Sequence, residues 1–408
     1  MGKRTVFHGG QVFDGTGAAL AHADVVVSDG RIVGVGSGLD GDDVVDCSGS
    51  TLVPGLFDCH VHVTSSGVDM MKRLTNPFSY QFYQAGANLK ATLDLGITTI
   101  RDASGADLGV QQAVEDGLIA GPRMQISVTA ISQTGGHGDG WMPSGITVGG
   151  RVSYPGRPSG IVDGPEEMRR KVRELIRSGA NVLKVFTSGG VLSPRDNPRH
   201  GHFRDDELEV LVAEANAAGI YVMAHAQATP GIKAAVRAGI RSIEHGVFLD
   251  EEAVEMMIER GTWLVPTLIA PVSVIESAEE GAALQPAVLA KAREVLASHQ
   301  EAFALAVSAG VKIAMGTDSG VGPHGTNLRE LALMKAGGMS AGDVLVATTR
   351  SAAQLLGLDD ELGTIEEGKR ADLVIVRGDP FDFEHLKENV AAVYKDGNLV
   401  SSGQRKGI

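Results

Sequence analysis

The sequence predicts a (β/α)8 barrel of the TIM type, joined to a small β-sandwich domain built from both chain ends. Three observations point there. From Leu56 onward, short apolar runs alternate with longer amphipathic stretches, the pattern of βα units around a parallel sheet. Eight such runs follow one another, the number that closes a barrel. Short alternating segments bounded by Gly and Asp turns occupy the two ends of the chain, outside the βα series.

The first fifty residues alternate in bursts at 6–8, 24–27, 31–35 and 44–46, with turns such as Ser28-Asp29-Gly30 between them, and predict an antiparallel β region. Barrel strands are predicted at 55–64, 97–101, 124–130, 182–187, 220–225, 242–245, 263–267 and 313–318, with helical patterns between them such as 165–178 and 205–218. The segment 341–356 reads as the last barrel helix. Strands return at 372–376 and 390–395, where Lys395-Asp396-Gly397 makes a hairpin-like turn. The domain boundaries expected are therefore 1–56 and 357–408 for the two parts of the small domain, and 57–356 for the barrel. The Gly- and Pro-rich stretch 134–164 is the longest without periodicity, and loops of that length inside a compact domain are commonly functional.

Composition removes several function classes. With 408 residues, 43% hydrophobic and 21% charged, the chain is globular and can bury a large core. Its two cysteines, Cys47 and Cys59, cannot build a disulfide framework or a cysteine-rich zinc site, and they suit a reducing, cytoplasmic setting. A net charge of −14 without a Lys/Arg-rich run opposes binding to nucleic acid or anionic membranes. No export or lipid-attachment signal is expected at the start of the chain. The longest apolar uncharged stretch, 261–275, contains Pro266 and Pro271 and is shorter than the ~20 residues of a membrane span. A small-molecule substrate and a homo-oligomeric assembly complete the expectation.

Four histidines fall at the C-terminal ends of predicted barrel strands: His60 and His62 on the first, His225 on the fifth and His245 on the sixth. The eighth strand ends in Asp318, and in a closed barrel these ends converge on the mouth where barrel enzymes place their chemistry. His60-Val61-His62 has period-two spacing, so both imidazoles point to the same side and can hold one ion. Lys184 interrupts an apolar strand, where an ammonium is costly unless it is paired or neutralised. Burial makes its amine nucleophilic, and capture of carbon dioxide would convert it to a carbamate able to bridge two cations. The alternative for Lys184 is a pairing with a buried carboxylate.

His137 stands in Gly135-Gly136-His137-Gly138, directly after the third strand, where glycines let backbone approach a ligand and an imidazole can polarise a carbonyl. After Lys184 come Arg195, Arg199, His200 and His202, either a solvated rim or a grip on a substrate carboxylate. Asp58 either orients a ligand histidine or caps neighbouring backbone. His8, His22, His299 and His385 have no convergent partners in this reading, and 250–255 reads as the start of a surface helix.

Pro54-Gly55-Leu56-Phe57-Asp58-Cys59-His60-Val61-His62 resembles the opening signature of the amidohydrolase superfamily. Lys184, His225, His245 with its neighbours Glu244 and Gly246, and Asp318 in Gly316-Thr317-Asp318 follow in the superfamily's order. The stretch 363–376 resembles its return into the small β domain. The segments 132–137, 188–191 and 224–226 resemble the branch of microbial dipeptidases, prolidase and Xaa-Arg types, that includes ochratoxin-type amide hydrolases. The resemblance implies two divalent ions, commonly zinc, with His60, His62 and Asp318 on the more buried ion and His225 and His245 on the other. Carboxylated Lys184 would bridge them. It further implies attack of metal-bound hydroxide on an amide of a dipeptide or N-acyl amino acid, with Asp318 moving the proton.

One position departs from that branch. Gln227 stands two residues after the fifth-strand histidine, where these dipeptidases carry a tyrosine, and an amide reaches a substrate carbonyl differently from a phenol. The alternative is a mononuclear cyclic-amide hydrolase related to imidazolonepropionase, or a deaminase. Those relatives need no strand lysine, and deaminases place a carboxylate where this chain has Ala228. A non-catalytic barrel would lack ligands, yet every ligand position is filled.

Overall fold

The computed structural model describes residues 2–147, 153–193 and 195–402. Eight parallel strands form the barrel. They are Leu56–Val61, Ile97–Asp102, a third in two pieces at Arg123–Ile126 and Ala130–Ile131, then Leu183–Phe186, Val222–Ala226, Ser242–His245, Trp263–Val265 and Lys312–Ile313. The third strand was expected to be continuous. Its first piece pairs with the second strand and its second piece with the fourth, and Val128 between them turns left-handed at φ 64°. Past the eighth strand, the backbone closes the ring: Cys59 N–H donates to Met315 O at 2.9 Å, Asp318 N–H to His60 O at 2.7 Å and His62 N–H to Ser319 O at 2.7 Å.

The helices cover the barrel with amphipathic faces. Pro165–Arg177 starts with proline in its first turn and two glutamates beside it, which suits the positive end of the helix dipole, and buries Met168, Val172 and Leu175. Asp205–Ala217 buries Leu208, Leu211, Val212 and Ala215 at helical spacing. The last expected helix is two helices, Ala341–Thr348 and Arg350–Leu356. The Thr348 and Thr349 hydroxyls donate to Val344 O and Leu345 O one turn back, the kind of side-chain bond that bends helices, and the chain breaks at Thr349. Among the described residues no helix is long and apolar enough to cross a membrane.

The small domain packs two sheets. Arg31–Gly36, Asp24–Ser28, Arg4–His8 and Asp43–Asp46 form one, in that order. In the other, Ser50–Pro54 from the front of the chain pairs antiparallel with Leu373–Arg377, which continues to Val390–Lys395 and Asn398–Ser402. Phe7, Val25, Ile32, Leu52, Leu373 and Ile375 fill the space between them. Arg123 of the barrel donates to Asp372 at 2.9 Å and to Asp396 at 3.1 Å, tying the barrel to this domain.

Gly96 shows how closely the two units meet. It holds φ 85°, and a Cβ there would lie 2.9 Å from both methyl groups of Val374. Gly96→Ala should combine left-handed strain with overpacking and destabilise the fold by about 2–4 kcal/mol, read as a lower Tm in thermal unfolding.

Candidate metal centre

Strand ends deliver the ionisable side chains to one mouth, and hydrogen bonds settle which ring nitrogen of each histidine faces it. Asp318 Oδ1 lies 3.4 Å from His60 Nε2 and 3.1 Å from His62 Nε2. Ligand atoms of these three residues all lie within 4.8 Å of one another. His62 Nδ1 is 2.8 Å from the Ser104 carbonyl, which can only accept, so Nδ1 carries the hydrogen and Nε2 keeps its lone pair. His60 Nδ1 is 2.7 Å from Glu244 Oε2, with the same consequence. Burial, followed by the nearby Lys184 charge, holds the His60 imidazole neutral, well below its usual pKa. Where both rings are neutral, two lone pairs and a carboxylate oxygen converge with no proton between them. That arrangement repels itself without a cation, and an N, N, O donor set suits a zinc-like ion.

The His60 ring is fixed by a network at the barrel axis. Glu244, fully buried, receives Arg101 Nη2 at 2.9 Å and the Ser242 hydroxyl at 2.6 Å on one oxygen, and binds His60 on the other. Arg101 also donates to Cys59 O at 2.7 Å and to Ser242 Oγ at 3.1 Å. Asp58 takes the second of its two expected roles and caps backbone. It accepts from His60 N, Thr317 N, the Thr317 hydroxyl and Asn327 Nδ2. Burial pushes its carboxyl up to about 6 in spite of those donors.

His225 and His245 stand beside the tight three-residue group. Their rings lie 4.6 Å apart, and His245 is 5.1 Å from the His60 ring. His225 Nε2 is 3.1 Å from Gly189 O, which leaves its Nδ1 lone pair free, and His245 Nδ1 meets the Thr267 hydroxyl at 2.7 Å. Lys184 is 1% exposed between these groups, and burial pushes its ammonium down to about 8 against the pull of Glu244 and Asp318. His245, Thr267 and Asp318 hold left-handed φ values of 72°, 53° and 59°, which non-glycine residues keep only where the surroundings over-determine them.

These residues floor a cavity of about 830 Å³, also lined by His137, Gln227 and Arg195. The His137 ring stacks on His225 at 4.4 Å and 15°, with Nδ1 3.1 Å from Asp196 Oδ2. Burial works against the Asp196 carboxylate, but the hydrogen bond and charge of His137, then Ser193 and Lys291, hold it well below the usual range. Two expected substrate contacts do not reach the cavity. Arg199 turns outward, pairing with Glu294 at 3.0 Å and lying over the Phe248 ring at 4.1 Å. His202 is buried behind the fourth strand because Ser188 and Gly201 bridge and fold the loop back, bringing its N–H to Thr187 O at 2.8 Å. His299, read from the sequence as partnerless, borders the cavity and contacts the carbonyls of His245 and Pro266 through Nε2. Its place on a helix fifty residues past His245 carries no sequence signal. Arg101 and Glu244 did carry one, a charge inside an apolar strand like that of Lys184.

Glu244→Gln keeps the volume and removes the charge between Arg101 and His60. Zinc affinity should fall about 10–100-fold, as for other partners of metal-bound histidines, read by competition with a chromophoric chelator.

The amidohydrolase family pattern matches residues 51–400. The ochratoxinase of Aspergillus niger is 37% identical over 423 aligned residues, covering 97% of this chain and 86% of its own. Its crystal structure superposes with a TM-score of 0.87, covering 100% of this chain and 97% of that one. A Xaa-Pro dipeptidase crystallised with methionine in its active site is 34% identical with a TM-score of 0.89, and a prolidase complexed with N-methylphosphonate-L-proline is 36% identical with a TM-score of 0.90. Each covers 98% of this chain and 100% of its own. Barrel, two-ended small domain and the His60, His62 and Asp318 group all lie on these alignments, and the chain belongs to the amidohydrolase family, hydrolases acting on carbon–nitrogen bonds.

Proposed function

We propose that this amidohydrolase uses two divalent ions to cleave the amide bond of a dipeptide or an N-acyl amino acid. Lys184 carries the reading: a fully buried lysine on the floor of the cavity, among the strand-end histidines His60, His62, His225 and His245 and Asp318. Its free amine can bond the carbon of carbon dioxide and release a proton, giving a carbamate whose single negative charge is shared by two oxygens. That anion removes the buried-ammonium penalty and offsets repulsion between two cations. His60, His62 and Asp318 would hold one ion, His225 and His245 the other, and Lys184 would join them. Zinc suits the nitrogen and oxygen donors. When bound, such ions supply Lewis acidity and make water more acidic.

The chain's own residues do the rest. Asp318, whose Oδ1 faces His60 and His62, uses its other carboxylate oxygen to take the proton of the attacking water and pass it to the leaving nitrogen. Asp196 engages His137 Nδ1–H, and a second proton on Nε2 would let that edge of the ring donate to the substrate carbonyl as charge develops there. Arg195, on the cavity wall 5.7 Å from the Trp141 ring, offers a guanidinium to a substrate carboxylate, and Gln227 presents its amide to the same cavity. The Xaa-Pro dipeptidase and prolidase relatives support an amide with a free carboxylate nearby. A mononuclear cyclic-amide hydrolase or deaminase would leave Lys184 without a role.

The test is a screen of zinc-loaded protein against dipeptides, N-acyl amino acids and cyclic amides, with metal analysis. Turnover of the first two classes and about two ions per chain are expected, whereas cyclic-amide turnover with about one ion would overturn the proposal. Lys184→Ala should lose both metal and rate, with partial recovery on adding a short carboxylic acid. Asp318→Asn should slow turnover by about 10²–10⁴-fold while a metal assay still finds bound ions; near-normal turnover would remove Asp318 from proton transfer.

A further inference from the structure

His137 comes from a glycine-rich stretch that cannot hold a ring still by itself, with Gly135, Gly136 and Gly138 around it. What holds it belongs to another loop. Asp196, its side chain 3% exposed, meets His137 Nδ1 at 3.1 Å and receives the Gly190 N–H at 3.0 Å on the same oxygen. The Ser193 hydroxyl touches both the other Asp196 oxygen and His137 Nδ1. Gly190 fits against the imidazole closely enough that a Cβ would lie 2.4 Å from His137 Cε1. Among its described residues, the loop that carries Gly190, Ser193 and Asp196 has no helix or strand of its own.

Its anchor is on a third element. Lys291 lies near the start of the helix Pro286–Ala309, with its side chain 14% exposed and outside the cavity lining. Its Nζ donates to Ser193 O at 2.7 Å, Gly190 O at 3.2 Å and Asp196 O, and pairs with Asp196 Oδ1 at 3.0 Å. One ammonium therefore uses its donors on the loop backbone and places its charge against the carboxylate that holds His137. We propose that Lys291 is a positioning residue that sets His137 toward the substrate through Asp196, a role that rests on the reading of His137 as the donor to the substrate carbonyl. Without it, the carboxylate loses its counter-charge and three loop carbonyls lose this donor. The loop can then swing and the His137 ring loses its fixed acceptor.

The experiment is a double-mutant cycle of Lys291→Met and His137→Ala on the zinc-loaded enzyme, using the best dipeptide or N-acyl amino acid, with metal content measured on every variant. His137→Ala should lower kcat by about 10²-fold or more. Lys291→Met should lower kcat at least tenfold with KM nearly unchanged, the double variant should be no slower than His137→Ala alone, and Lys291→Arg should recover part of the loss. Ring ¹⁵N NMR of histidine-labelled protein adds a readout apart from rate. The His137 signal, assigned by its loss in His137→Ala, should be a single sharp set in the wild type and broadened or doubled by exchange between ring positions in Lys291→Met. Should Lys291→Met fail to fold, Asp196→Asn, which removes the charge and keeps the shape, should give the same kcat loss and non-additivity. Normal kcat in the Lys291 and Asp196 variants, or losses that multiply with that of His137→Ala, would overturn the positioning role alone. An unchanged kcat in His137→Ala would overturn the reading of His137 as well.

Discussion

Arg101 and Glu244 form an ion pair with neither side chain exposed, and the metal-binding mouth depends on it. Removing one partner of such a pair leaves an uncompensated buried charge, at a cost of about 3–5 kcal/mol, so the pair survives only with its hydrogen bonds complete. Arg101 meets that demand on neighbours that matter: Cys59 O next to His60, and Ser242 and Glu244 just before His245. The pair thereby links the first, second and sixth strands. Its remaining carboxylate oxygen sets the His60 ring, so the geometry of one ligand follows from the electrostatics of the barrel axis.

The seam between the eighth and first strands applies the same logic to Asp318. Asp58 gathers four donors from His60, Thr317 and Asn327, which locks the backbone on both sides of the seam. Asp318 can then keep its left-handed φ, and its carboxylate meets His60 and His62 with no donor of the fold competing for Oδ1. A floor built in this way is rigid before any ion or substrate arrives. Such preorganisation is what a site needs when charge develops in the reaction.

Floor and roof differ in how they are held. Val247, Val274, Val295 and Val321 belong to one apolar cluster and line one side of the cavity, lowering the local dielectric and strengthening each charge interaction inside it. His137 and Arg195 ride on loops held partly by polar contacts such as Asp196 with Lys291. Strands thus present the candidate metal ligands, and loops present the other polar groups that line the cavity, the usual division in barrel enzymes.

Local periodicity made much of this legible. The period-two spacing of His60 and His62, the apolar strands ending in His225, His245 and Asp318, and the lysine inside 182–187 are all properties of short segments, since strand and helix patterns depend on near neighbours. Loops have no such period, so Arg195, Arg199 and His202 looked alike in sequence although only Arg195 reaches the cavity. The anomalous charges of Arg101 and Glu244 were visible, but their partnership joins residues 143 apart. Asp58 with Asn327 spans 269. By itself the sequence determined the number and order of the barrel strands, the two-ended small domain and the residues standing at the strand ends. Only the tertiary structure decided which imidazole nitrogen faces the mouth, where the third strand breaks and which loop cation lines the cavity, because each is settled by hydrogen bonds and ion pairs between segments that meet only when the barrel closes.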